Sequence, residues 1–216
     1  MQKVMAERMA AAAKDTPLVV IVDDDDGMRE SVAEILRSVG TETIGFGSTA
    51  DLLASSLPDR PGCMVLDVRL PGSSGLELQA KLAAMGNRMP IIFMTGYGDV
   101  PMTVRAMKAG ALDFLMKPFR DQEILDAVSL AIDQDRTRRA ESSASAEIAE
   151  LAAGLTPREH EVMDAVVAGL FNKQIAHQLG ITEITVKIHR SRVMRKMKSI
   201  SVADLVRKAE HLKAAV

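Results

Sequence analysis

Five short apolar runs, each followed by a stretch with helical spacing, dominate the first part of this 216-residue chain. The runs fall at 18–22, 43–46, 63–66, 90–94 and 111–116. Between them, Met28, Val32, Ile35, Leu36 and Val39 keep one helical face, as do Leu76, Leu78, Leu82 and Met85 in part. Met102, Ala106 and Met107 mark a shorter helix, and Ile124, Val128 and Ile132 mark another within 121–139. Turn signals separate the elements at Leu57-Pro58, Pro71-Gly72, Lys108-Ala109-Gly110 and Lys117-Pro118. Strands that alternate with helices predict a parallel, doubly wound α/β sheet.

The rest of the chain has a different character. Residues 140–154, "AESSASAEIAELAAG", read as a linker with helical content, stopped by Gly154. Residues 155–216 show no strand alternation and predict four short helices, broken near Gly169, Gly180 and Ser199–Ser201. Charge divides the same way. This last stretch carries 11 Lys and Arg against 6 Asp and Glu, a net of +5, leaving 16 against 23, or −7, for the remainder. An acidic first domain and a basic second one imply different partners. No apolar run approaches the roughly 20 residues that span a bilayer. The single cysteine, Cys63, excludes an internal disulfide and reads as a buried thiol. Residues 1–16 mix charges with alanines and read as an N-terminal extension, not a targeting signal.

The first strand runs into four carboxylates, "LVVIVDDDD". In parallel α/β sheets, ligands bind beyond the carboxyl ends of the strands, where the strand order reverses. With order 2-1-3-4-5, Asp23 and Asp24 after the first strand meet Asp67 at the end of the third. Three carboxylates brought together repel unless a cation sits among them. Oxygen ligands without His or Cys favour a hard ion such as Mg²⁺. Thr95 closes the fourth strand with a hydroxyl, and Lys117 closes the fifth with a positive charge. A hydroxyl, a lysine and a metal around a nucleophilic carboxylate make the clamp that phosphoryl transfer requires. Singly, each residue has an ordinary structural reading: Asp as a helix cap, Thr or Lys as packing at a strand end. Their joint occurrence in order is what points to chemistry.

In the second part, Thr156-Pro157-Arg158-Glu159 is a helix start. "FNKQIAHQLGITEITVKIHRSRVMRKM" then reads as helix, glycine turn, helix, with Thr182 capping the second helix. On that helix Val186, Val193 and Met197 form a core face, with His189 or Arg190 at its boundary. Ile184, Lys187, Ile188, Ser191 and Arg195 point the other way, as a stripe suited to a DNA major groove. Lys187 suits guanine O6/N7 and Ile188 suits thymine methyls, while neighbouring basic residues suit phosphates. His160, His177, His189 and His211 lie on different predicted helices and imply no metal.

The motifs "VDDDD", "VLDVRLPGSSGLEL", "IIFMTGYGDVPMTVRAMKAGA" and "DFLMKPF" resemble those of response-regulator receiver domains over about residues 17–135. The resemblance implies a flavodoxin-like five-stranded fold in which Asp67 accepts a phosphoryl group from a histidine kinase. It implies Mg²⁺, or Mn²⁺ in its place, on Asp23, Asp24, Asp67 and the Arg69 carbonyl. Thr95 and Lys117 would contact the phosphoryl group, and Phe114 takes the place of the switch aromatic, where tyrosine is also common. "LTPREHEVM", "NKQIAHQLGITEITVKIHRSRVMRKM" and "DLVRKA" resemble the LuxR-type DNA-binding domain of FixJ/NarL-class regulators, most closely FixJ-like ones, over about residues 153–213, within a domain expected at 153–216. Residues 136–152 are then a linker. Thr185, Lys187, Ile188, Arg190, Ser191, Arg192 and Arg195 are the expected DNA contacts. A homodimer formed on phosphorylation through the 100–130 surface, promoter DNA, RNA polymerase and a cytoplasmic location complete the expectation. Two rivals stand beside it: a Mg²⁺-dependent phosphohydrolase, and a DNA-binding protein whose first domain only dimerises.

Overall fold

The computed structural model describes residues 16–96 and 100–214 and divides the chain into two compact units, up to Arg139 and from Ala140. The expected extension at 1–16 lies, but for Thr16, outside the described residues. The first unit is built on strands β1 (Leu18–Val22), β2 (Glu42–Phe46), β3 (Gly62–Asp67), β4 (Ile91–Thr95) and β5 (Asp113–Met116). All are parallel, in the order β2-β1-β3-β4-β5. The helices between them are α1 (Asp26–Ser38), α2 (Thr49–Ala54), α3 (Gly75–Ala84) and α4 (Val100–Lys108), and α5 (Asp121–Ala153) follows β5.

This order puts β1, β3 and β4 in the middle, covered on both faces, and every residue of the three is buried. That is why they read as unbroken apolar runs. The edge strands β2 and β5 are only partly buried. Alternate residues feed two cores. Leu18, Val20, Leu66, Phe93, Leu78 and Ala106 belong to one face, and Val19, Ile21, Val65, Met94, Leu36 and Ile124 to the other. Gly62 opens β3 where a side chain is impossible, since a Cβ there would lie 1.9 Å from the Leu18 carbonyl oxygen.

Two local expectations are corrected. Val39, read as part of the buried face of α1, is exposed because the helix ends at Ser38 and Val39 caps it. β5 begins at Asp113, two residues later than the apolar run suggests. The Ala111 amide still bonds back to the Ala106 carbonyl, and Gly110 adopts φ +91°, so the turn closing α4 consumes those residues.

The second unit contains the end of α5 and four further helices, α6 (Pro157–Val167), α7 (Asn172–Leu179), α8 (Glu183–Lys196) and α9 (Val202–Ala214). Residues 136–152 lie within α5. Val162, Val166, Ile175, Val186, Val193, Met197 and Leu205 form its core. No helix among the described residues is long and apolar enough to cross a membrane.

Candidate phosphoryl-transfer site and nucleic-acid interface

Strand register assembles the acidic site. Val22 pairs with Leu66, so the residues that follow, Asp23 and Asp67, emerge side by side. Thr95 pairs with Met116, which sets Lys117 one residue beyond. Asp23, Asp67 and Thr95 are buried, whereas Asp24 is exposed. Asp23, Asp24 and Asp67 each offer a carboxylate oxygen, all within 4.8 Å of one another.

Lys117 Nζ donates to Asp23 Oδ2 at 2.5 Å and to Asp67 Oδ2 at 2.8 Å. The remaining oxygens accept backbone N–H groups, Asp25 on Asp23 Oδ1 and Arg69 on Asp67 Oδ1, each at 3.0 Å. Burial pushes the Asp23 carboxyl above its ordinary range, more than the hydrogen bonds from Lys117 and Asp25 draw it down. Burial also opposes the Lys117 charge, but the hydrogen bonds to Asp23 and Asp67 outweigh it and hold the ammonium above the usual lysine range. Lys117 is therefore a fixed cation. One ammonium among three carboxylates leaves the site short of positive charge. With oxygen ligands only, the residues fit a hard divalent ion.

Phe114 pairs with Phe93 across β4 and β5, with ring centroids 6.4 Å apart and tilted by 48°. Phe93 and Thr95 are two residues apart on one strand and so share a sheet face. Phe114 is half-buried against that same core, so Thr95 and Phe114 lie within one packed layer.

Two residues that sequence reasoning passed over support the site. Gly75 opens α3, and a Cβ there would come within 2.3 Å of the Asp67 carbonyl oxygen. Only glycine lets α3 start against the Asp67 strand. The signal was present in "PGSSGLEL", but it reads as one more loop glycine until the partner strand is known. Arg29 donates from NH1 to the Asp23 carbonyl at 2.6 Å and pairs with Asp26, bracing the loop that carries Asp23 and Asp24. Its side chain runs past Gly45 and Gly47, at ordinary contact distance from where their Cβ atoms would sit. Asp25 caps α1 by accepting the Met28 N–H at 3.0 Å. The four consecutive carboxylates therefore do separate jobs.

In the second unit, Thr156 and Glu159 form a capping box at the start of α6, with Pro157 at the first position. Glu159 is buried and accepts from Lys196 Nζ at 2.6 Å. The Lys196 hydrogen bond, with the Thr156 amide, draws its carboxyl down to about 2. Gly180, at φ +65°, turns the chain between α7 and α8, and Thr182 caps α8. Val186, Val193 and Met197 are buried. Ile184, Lys187, Ile188, Ser191, Arg192 and Arg195 are exposed, with Ile184 71% accessible. Thr185 is half-buried, its hydroxyl 2.9 Å from that of Thr182. Arg190 is half-buried too, and its NH1 donates to Asn172 Oδ1 on α7 at 2.7 Å. Arg190 thus braces the two helices of the motif. Lys196, also on α8, is held by Glu159 and the Gly154 carbonyl.

Residues 19–129 match the response regulator receiver domain, and residues 153–209 match the bacterial regulatory proteins of the luxR family. The chain belongs to the response regulators. More specifically, it is a FixJ/NarL-class response regulator transcription factor, with a receiver and a LuxR-type DNA-binding domain. The regulator is 54% identical to Nodulation protein W of Bradyrhizobium diazoefficiens over 200 residues, 93% of this chain and 88% of that protein. It is 46% identical to Transcriptional regulatory protein FixJ of Azorhizobium caulinodans over 191 residues, 88% and 90% of the two chains. Among solved structures it is similar to the response regulator StyR, with a TM-score of 0.82 and 45% identity over 90% of this chain and 98% of that one.

Proposed function

We propose that Asp67 accepts a phosphoryl group from a histidine kinase in a Mg²⁺-dependent reaction, and that this drives receiver dimerisation and sequence-specific binding to promoter DNA. The observation that carries this reading is the charge of the site: three converging carboxylates, two of them bonded to one lysine. Asp23, Asp24, Asp67 and the Arg69 carbonyl would hold the metal, which supplies charge neutralisation at the transferring phosphoryl group. A carboxylate oxygen of Asp67 forms the new P–O bond while the donor's P–N bond breaks, and the departing imidazole takes its proton from solvent. Lys117 already touches Asp67, and its charge moves onto the phosphoryl oxygens as they arrive. Thr95 donates its hydroxyl to the same oxygens. The layer it shares with Phe93 and Phe114 then repacks, with Phe114 as the switch aromatic. The chain's only catalysis is of its own phosphorylation and dephosphorylation.

Val100, Val104, Met107 and Met116 are exposed apolar residues within the 100–130 surface, which supports that face as the dimer contact. Two LuxR-type modules then reach paired half-sites. Lys187, Ile188, Ser191 and Arg195 face the bases, and Thr185 and Arg192 hold phosphates. Arg190 stays on Asn172 and sets how α8 enters the groove. We take 17–135 as the receiver, 136–152 as the linker and 153–216 as the DNA-binding domain, acting in the cytoplasm with RNA polymerase. Size-exclusion light scattering with Mg²⁺, before and after acetyl phosphate, tests the reading. A monomer that becomes a dimer only with both reagents supports it. An unchanged mass, or a dimer that needs neither reagent, overturns it.

A further inference from the structure

Helix α4 carries much of the exposed apolar surface just described, yet of its nine residues only Ala106 is buried. Along its first turns an open groove of about 590 Å³ lies between it and α3. That groove is lined by Met102 and Arg105 of α4, Leu76 and Ala80 of α3, and Arg69 and Leu70 after β3. The far end of the helix is held differently. Gln79 of α3 is 4% exposed, and its Nε2 donates to the carbonyl of Ala109, just past the C-terminus of α4, at 3.1 Å. Its other polar atom, Oε1, is buried with no hydrogen-bond partner among the described residues.

A buried glutamine with an unpaired acceptor is a poor filler for a position flanked by Leu78 and Leu82 on the core face. Leucine would pack there without that cost. What leucine could not do is bond a helix-terminal carbonyl. The seam between α3 and α4 is therefore open at the end nearer Asp67 and tied at the other. That is the arrangement of a lever with a fixed fulcrum.

We infer that Gln79 is a positioning residue for the switch: its bond to Ala109 is the pivot about which α4 moves when Asp67 is phosphorylated. The inference rests on the phosphorylation-driven dimerisation proposed above. With the pivot in place, displacement at the β4 end of α4 becomes a defined rotation of Val100, Val104 and Met107. Without it the helix shifts without a fixed axis, and phosphorylation is poorly converted into dimer contact. Mutations along such coupling elements change coupling by roughly two- to thirty-fold.

The test uses the full chain carrying Gln79→Leu, with Gln79→Met as a second apolar filler of similar length. Three quantities are read: Mg²⁺-dependent phosphoryl incorporation from acetyl phosphate, thermal stability, and the dimer dissociation constant with and without beryllofluoride. Both variants are expected to incorporate phosphoryl at the wild-type level and to melt close to wild type, the lost bond to the Ala109 carbonyl offsetting the relieved Oε1. The ratio of the two dimer constants is expected to fall about fivefold or more. Wild-type coupling in both variants overturns the pivot. Loss of stability in step with loss of coupling also overturns it, since Gln79 would then be ordinary core. If the wild-type protein itself fails to dimerise with beryllofluoride, the underlying reading fails, a result distinct from either of these.

Discussion

The receiver holds two clusters of buried charge at opposite ends of one strand, and they are built on opposite principles. At the carboxyl end of β3, Asp67 converges with Asp23 and Asp24, and Lys117 bonds Asp67 and Asp23. At its amino end, Asp135 of α5 is fully buried and saturated. It accepts the Gly62 N–H at 3.1 Å, Arg138 from Nε at 3.1 Å and NH2 at 2.5 Å, and Arg139 at 2.7 Å. Arg139 in turn bonds Asp59 at 2.6 Å. Two carboxylates meet two guanidiniums there, so the cluster is complete without a ligand. The other sets three carboxylates beside one ammonium. Buried charge alone does not mark a functional site; uncompensated charge does.

Substitution should separate the two. Asp67→Asn is expected to abolish phosphoryl incorporation, read by intact mass after acetyl phosphate, while leaving thermal stability nearly unchanged because it removes a repelling charge. Asp135→Asn is expected to do the reverse. It weakens the hydrogen bonds that the buried carboxylate accepts from the partly exposed Arg138 and Arg139 and should cost about 2 kcal/mol in chemical denaturation, with phosphorylation retained. If both variants lost stability alike, the distinction would collapse.

A finer cut concerns Asp24, the exposed member of the acidic trio. Asp24→Asn should weaken Mg²⁺ binding by roughly tenfold or more, the scale on which groups around metal sites act. Calorimetric titration of Mg²⁺ reads this directly.

The DNA-binding domain supplies a balanced pair of its own in Glu159 and Lys196. Its carboxyl is drawn down to about 2 from an ordinary value of 4.5. A carboxyl with a lowered value stabilises the fold fully above that ordinary value and loses its contribution as pH falls toward the lowered one. The stability difference between wild type and Glu159→Gln should therefore be constant near neutral pH and shrink below about pH 4.5. Thermal melts across that range check the sign. The smallest expected effect is at Asp26, an exposed first-turn residue of α1 paired with Arg29. Asp26→Asn should cost a few tenths of a kcal/mol and leave phosphorylation intact.

The residues best read from the sequence were those whose placement depends on strand ends. Asp23, Asp67, Thr95 and Lys117 each close an apolar run, and parallel register brings such ends together without further information. The core face of α8 was legible for a similar reason, because Val186, Val193 and Met197 keep helical spacing. What stayed hidden depends on partners far away in the chain. Gly75 matters because the Asp67 carbonyl lies behind it, Asp135 because Gly62 and Arg139 converge on it, and Gln79 because α4 ends beside it. None of these carries a local pattern. The partners of Arg190 and Lys196 were hidden for the same reason: Asn172 and Glu159, which engage them, come earlier in the chain and from other helices.

The central claim is that the uncompensated cluster, and not the saturated one, is where phosphoryl transfer occurs. Intact-mass measurement of wild type, Asp67→Asn and Asp135→Asn after acetyl phosphate, each with Mg²⁺ and with EDTA, tests it most directly. One added phosphoryl group is expected on wild type and Asp135→Asn with Mg²⁺, none with EDTA, and none on Asp67→Asn under either condition. A phosphoryl group on Asp67→Asn, or equal labelling in EDTA, would contradict it.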